Sequence, residues 1–83
     1  MHLTRHAQER WAQRCPDLDP ETEWASARPP GKKIIRRIKG GCPGHARLMT
    51  RNNGRWYYRV SRRRVVFVVQ WGPEQRVITV WRL

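Results

Sequence analysis

From Trp24 to Leu83 the chain holds a single acidic residue, Glu74. The other five acids all lie before Trp24. Paired catalytic carboxylates therefore have no place in the C-terminal half, which argues against a glycosidase or a two-metal nuclease. Cysteine is equally scarce. Cys15 and Cys42 are the only two, and without a secretion signal two free thiols are expected rather than a disulfide framework. Cys42 and His45 give one Cys-x-x-His spacing, with His2, His6 and Cys15 elsewhere. A structural zinc needs four ligands in a tight shell, so no metal and no cofactor is expected. No apolar run reaches 18 residues, which excludes a membrane-spanning helix. The N-terminus has no apolar signal-peptide region, so a cytoplasmic location is expected. Internal repeats and low-complexity stretches are absent, and 83 residues suit one small domain spanning 1–83 with a thin core.

What is abundant is positive charge. Eighteen basic residues against six acids give +12. Residues 1–23 carry three arginines and five acids, whereas residues 24–83 carry 15 basic residues and one acid. Arginine outnumbers lysine 15 to 3. Its planar donor fork matches phosphate and stays charged in any pocket. RNA or another nucleic acid is the partner this charge implies, with the ribosome as one target and an acidic protein as the alternative. A genome rich in arginine codons, or a surface that only aids solubility, is the plainer explanation. Membrane binding is not expected, because the basic residues fall in strand-like segments rather than on an amphipathic helix.

The segment Arg55–Leu83 reads as three strands: Arg55–Ser61, Val65–Trp71 and Arg76–Leu83. These runs are rich in β-branched and aromatic residues. Arg62–Arg64 and the Gly72-Pro73 turn separate them, which predicts an antiparallel meander. Asn52-Asn53-Gly54 predicts a hairpin joining a short strand at Ala46–Thr50 to the meander. Lys32–Lys39 carries isoleucines at helical spacing, yet isoleucine favours strands. It is read as a basic edge strand protected by its charges.

Two helices precede the sheet. Thr4 caps the first, and Leu3, Ala7, Trp11, Cys15 and Leu18 form its apolar stripe. His6, Arg10 and Arg14 make a second row on the same helix. Asp19 and Pro20 open the second helix, with Trp24 and Ala27 facing inward. The fold class is thus α+β: one or two N-terminal helices packed on a four-stranded antiparallel sheet, with a fifth strand as the alternative. One sheet face receives the helices and the other stays open. In the last strand, Ile78 and Val80 are assigned to the helices, and Thr79 and Trp81 to the open side.

Metal-free RNA cleavage needs an activated 2′-oxygen, offset phosphate charge and a protonated leaving oxygen. His6 with Arg10 and Arg14 supplies those chemistries, and Thr79 adds a hydrogen bond. Tyr58 and Trp81 are the stacking candidates. Lys32, Lys33, Arg36, Arg37, Arg62, Arg63 and Arg64 are the phosphate-contacting candidates. A histidine near a helix start is more often an ordinary surface group, and Trp56, Tyr57, Tyr58 and Trp71 read more simply as core.

The opening Thr4-x-His6-Ala7-x-x-Arg10-x-x-x-Arg14 and the closing Val77-Ile78-Thr79-Val80 together resemble a family of small bacterial and phage domains of unknown function. That family is similar to BrnT-type toxins and the broader RelE-like ribonuclease fold. The resemblance covers both ends, about half the chain. It implies helices on a small antiparallel sheet and metal-independent endoribonuclease activity. His6, Arg10 and Thr79 are then the leading catalytic positions, with Arg14 and Arg59 behind them, and a separate antitoxin is an expected partner. Cys15-Pro16-Asp17 departs from the family's usual glycine after the second arginine. Three functions compete: a ribosome-directed or RNA-cleaving toxin-like domain, a non-catalytic nucleic-acid-binding module, and a basic accessory factor or inhibitor that binds an acidic protein.

Overall fold

A computed structural model describes residues 1–41 and 55–83. Their elements in order are β1 (His2–Leu3), α1 (Arg5–Arg14), α2 (Pro20–Ser26), α3 (Lys32–Gly41), β2 (Trp56–Val60), β3 (Val65–Gln70) and β4 (Arg76–Arg82). Among the described residues this is an α+β fold of three helices and one open four-stranded sheet, in the order β1-β4-β3-β2. The strand expected at Ala46–Thr50, the Asn52-Asn53-Gly54 turn and the Cys42–His45 spacing lie outside the described residues.

The meander forms where the β-branched runs predict it, with β2 antiparallel to β3 and β3 antiparallel to β4. The sheet is nonetheless mixed, because β1 runs parallel to β4. The amides of His2 and Thr4 donate to the carbonyls of Gln75 and Val77 at 3.2 and 3.1 Å. Two residues are too few to show an alternating pattern, so sequence reading passes over such a strand.

Both N-terminal helices start at the predicted caps. The Thr4 hydroxyl accepts from the Ala7 amide at 3.2 Å, and the Asp19 carboxylate accepts from the Thr22 amide at 3.0 Å. These bonds satisfy amides that a helix start otherwise leaves unpaired. Ala7, Trp11, Cys15 and Ala27 then pack on Val65, Phe67, Val69, Val77 and Val80. Phe67 sits between Trp11, 5.8 Å away, and Trp24, which meets it edge-on at 5.3 Å. Buried Glu23 accepts from the Ser61 hydroxyl at 2.9 Å, and Ser61 in turn accepts from the Val65 amide. This network ties α2 to the β2–β3 turn and keeps a buried carboxylate hydrogen-bonded.

Lys32–Lys39 is not an edge strand. It forms α3, and the sheet's second face is covered rather than open. Ile38, fully buried, and Ile34 pack over Tyr58, Val60, Val66 and Val68, with Trp56, Ile78, Trp81 and Leu83 around them. Burial of an i, i+4 isoleucine pair outweighs the weak strand preference of the residue type. Gly31 starts the helix, its carbonyl accepting from the Ile35 amide at 3.0 Å.

The face assignment in β4 also needs correction. Val68 pairs with Thr79 and Val69 with Val77, so Ile78 is an extra residue, a β-bulge. Val77 and Val80 therefore both face α1 and α2. Thr79 and Trp81 turn to the opposite face as expected, but Ile78 joins them instead of facing the N-terminal helices.

Ile38→Ala should destabilise the protein by about 2–5 kcal/mol, whereas Arg37→Ala should change stability by less than about 0.5 kcal/mol. Urea unfolding of the two variants checks the orientation of α3.

Candidate nucleic-acid interface

α3 has two unlike sides. Ile34 and Ile38 are turned to the sheet, while Lys32, Lys33, Arg36, Arg37 and Lys39 are exposed. At the turn between β2 and β3, Arg62, Arg63 and Arg64 are exposed as well. Arg28 and Val60 exchange backbone hydrogen bonds at 3.0 and 2.8 Å. That bridge sets the approach to α3 beside the end of β2, so the start of α3 and the arginine turn lie at one end of the sheet. Between the end of α2 and this turn lies a shallow groove of about 590 Å³ lined in part by Ser26, Arg28, Ser61 and Arg62. The hydroxyls there are committed to the fold: Ser26 accepts from the Arg62 amide at 3.1 Å and Ser61 donates to Glu23.

Four of the five N-terminal acids, Glu9, Asp17, Asp19 and Glu23, are engaged within the fold. Asp17 pairs with Arg82 at 3.0 Å and Glu9 with Arg5 at 3.5 Å. Asp19 caps α2 and Glu23 is buried against Ser61. Both ion pairs are largely exposed and add little stability. They balance charge locally, while α3 itself carries basic side chains and no acid. The arginine turn, by contrast, has Glu23 bonded to Ser61 beside it and the Asp17–Arg82 pair at the neighbouring end of β4.

The residues expected to act in catalysis do not converge. His6 is exposed on α1. Thr79 is only 8% exposed and points to the opposite sheet face from the one α1 packs on. Arg10 lies along its own helix, its Nη1 donating to the Gln13 Oε1 at 2.8 Å. Arg14 reaches the β4 edge that β1 leaves uncovered, with its Nη1 donating to the Val80 carbonyl at 2.9 Å. The Thr4 hydroxyl does the same for the Ile78 carbonyl at 3.3 Å. Arg59 donates from Nη2 to the Ala27 carbonyl at 2.8 Å and lies over the Trp24 ring at 4.4 Å. Its Nε is buried with no acceptor among the described residues. Arg14 and Arg59 thus hold the framework. The two stacking candidates, Tyr58 and Trp81, meet edge-on at 6.3 Å in the cluster beneath α3.

Two features escape sequence reading. Trp71, read there as core, is 64% exposed. Its position immediately before Gly72-Pro73, past the last paired residue of β3, was the available signal. Arg64 adopts a left-handed backbone with φ 68°, and no residue type in the arginine run signals this.

Among the described residues no cluster of His, Cys, Asp and Glu could hold a metal ion, and no helix is long and apolar enough to cross a membrane. The Cys15 thiol is buried under the first core, and desolvation raises its pKa above the ordinary value of 9.0 against the opposing field of Arg82. Above about pH 9 the unfolded chain releases this proton while the folded chain keeps it, so the contribution to stability falls as pH rises further. Native alkylation mapped by mass spectrometry should find Cys15 modified only at the rate of chain opening. Rapid labelling at neutral pH would contradict its burial. Arg59→Ala should cost about 1.5–3 kcal/mol in urea unfolding, the range for a hydrogen bond from a charged donor.

No family model, curated protein or solved structure matches the chain.

Proposed function

We propose that the protein is a non-catalytic nucleic-acid-binding module that grips the phosphate backbone through α3 and the Arg62–Arg64 turn. The observation that carries this reading is the two-sided character of α3. Its isoleucines anchor it in the core, so five exposed cationic side chains ride on a fixed rod rather than on a loose tail. Phosphate contacts of this kind give affinity without sequence preference.

The backbone at Arg64 adds support. A left-handed conformation costs a non-glycine residue about 1–2 kcal/mol, and in a three-residue hairpin loop that position favours glycine. An arginine stands there, exposed and beside two others, in a conformation its residue type disfavours. The turn thereby presents three adjacent guanidinium groups to solvent, where they can reach a phosphate. An RNA-cleaving, RelE- or BrnT-like activity would need His6 and Thr79 to act on one phosphate, and their separation by the sheet gives that reading no support.

Fluorescence anisotropy with labelled RNA and DNA oligonucleotides should give affinities that fall linearly on a log–log plot against salt. Replacing Lys32, Lys33, Arg36 and Arg37 together by Gln should flatten the slope by about 0.7–0.9 for each phosphate no longer neutralised. An unchanged slope would remove α3 from the interface. Arg64→Gly should weaken binding while raising the unfolding free energy by roughly 1 kcal/mol. Incubation with RNA in EDTA should yield no cleavage. Cleavage abolished by His6→Ala or Thr79→Ala would replace this proposal with the ribonuclease, and selective binding of an acidic protein in place of any oligonucleotide would replace it with the accessory-factor reading.

A further inference from the structure

Trp71 has no role in the core and no role in the interface just described. Among the described residues it is the one large hydrophobic side chain that stands exposed. It is not loose. Its indole stacks on the half-buried Tyr57 ring with centroids 4.3 Å apart and planes 34° apart. Its amide donates to the Arg55 carbonyl at 2.7 Å, one step beyond the last ladder pair, Trp56 with Gln70. Tyr57 is itself packed against the first core. One indole face is thus fixed against the protein, and the ring stands at the rim of the sheet.

The surroundings are cationic. Arg55 is exposed on the neighbouring chain segment and Arg76 is exposed across the turn. A depression of about 180 Å³ follows this turn, with Gln70, Gln75 and Arg76 in its wall. Glu74, the lone acid of the C-terminal part, also lies here.

From this geometry we infer that Trp71, backed by Tyr57, is a stacking platform for an unpaired base. The ligand class is therefore single-stranded nucleic acid rather than a continuous duplex. The inference rests on the nucleic-acid reading and sharpens it. Base–aromatic stacking requires a rigid, solvent-facing ring and an accessible base face, and it tolerates any base. A ring already stacked on its inner side loses little freedom when a base covers the outer side. Arg55 and Arg76 supply the charge that holds the flanking phosphates, and the Gln70 and Gln75 amides offer groups for a base edge. In a duplex the base faces are already covered by neighbours, so the platform would find nothing to stack on.

Three probes of equal length separate the terms: a single-stranded oligothymidylate, the same strand with every base removed, and a thymine–adenine duplex. Wild-type protein should bind the base-bearing strand on the order of 5- to 100-fold more tightly than the abasic strand, the range for one stacked base. Trp71→Ala should erase that difference while leaving affinity for the abasic strand unchanged, and Trp71→Phe should restore part of it. Glu74→Gln should strengthen binding of both strands, because it removes a negative charge beside the path of the phosphates. Equal wild-type affinity for base-bearing and abasic strands, or preference for the duplex, would overturn the platform while leaving the phosphate-binding reading intact. Failure to bind any of the three would overturn both. A drop in affinity in Trp71→Ala that is the same for abasic and base-bearing strands would also overturn it, since that pattern marks a structural defect.

Discussion

A strand with no exposed face needs cover on both sides, and β3 is such a strand. Val65 through Val69 are fully buried. Val65, Phe67 and Val69 face α1 and α2, while Val66 and Val68 face α3. Burying five apolar side chains in so short a chain supplies a large share of the hydrophobic driving force. It also dictates the layering. One helical layer would leave Val66 and Val68 in water, so a second has to come from somewhere, and α3 provides it.

That requirement shapes the chemistry available to the molecule. A sheet with an open, basic and aromatic face could have gathered His6 and Thr79 into one cleft. With both faces covered, the last strand's threonine is enclosed and the cations are displaced outward, onto the far side of α3 and onto the turns. Several residues of the opening motif prove to be engaged with the framework. Thr4 caps α1 and donates to β4, Ala7 packs in the core, and Arg14 satisfies a carbonyl on the uncovered β4 edge. An exposed row of backbone acceptors invites pairing with other chains, and these two side chains blunt it.

Much of this architecture was legible in the residues. The meander, both N-terminal helices, their caps at Thr4 and Asp19, and the stripe from Leu3 to Leu18 follow from periodicity and capping chemistry, which act over a few neighbours. What stayed hidden depends on partners distant in sequence. Isoleucines 34 and 38 have helical spacing, but whether that spacing or the residue preference prevails is decided by the sheet face that receives them. Arg14 and Arg59 look alike as sequence, and only their acceptors, the Val80 and Ala27 carbonyls, show them to be fastenings. Trp71 resembles the other tryptophans until its place at the end of a ladder is known.

The bulge at Ile78 acts as a phase shift in the last strand. If the same residues paired straight through, Thr79 would lie opposite Phe67 and Trp81 opposite Val65, both turned toward α1 and α2. With the bulge, Val80 takes the place against Phe67, and Arg82 comes round to the side where Asp17 can meet it. One unpaired position thus decides which of the two layers owns the final tryptophan, and ironing it flat would exchange the tenants of both.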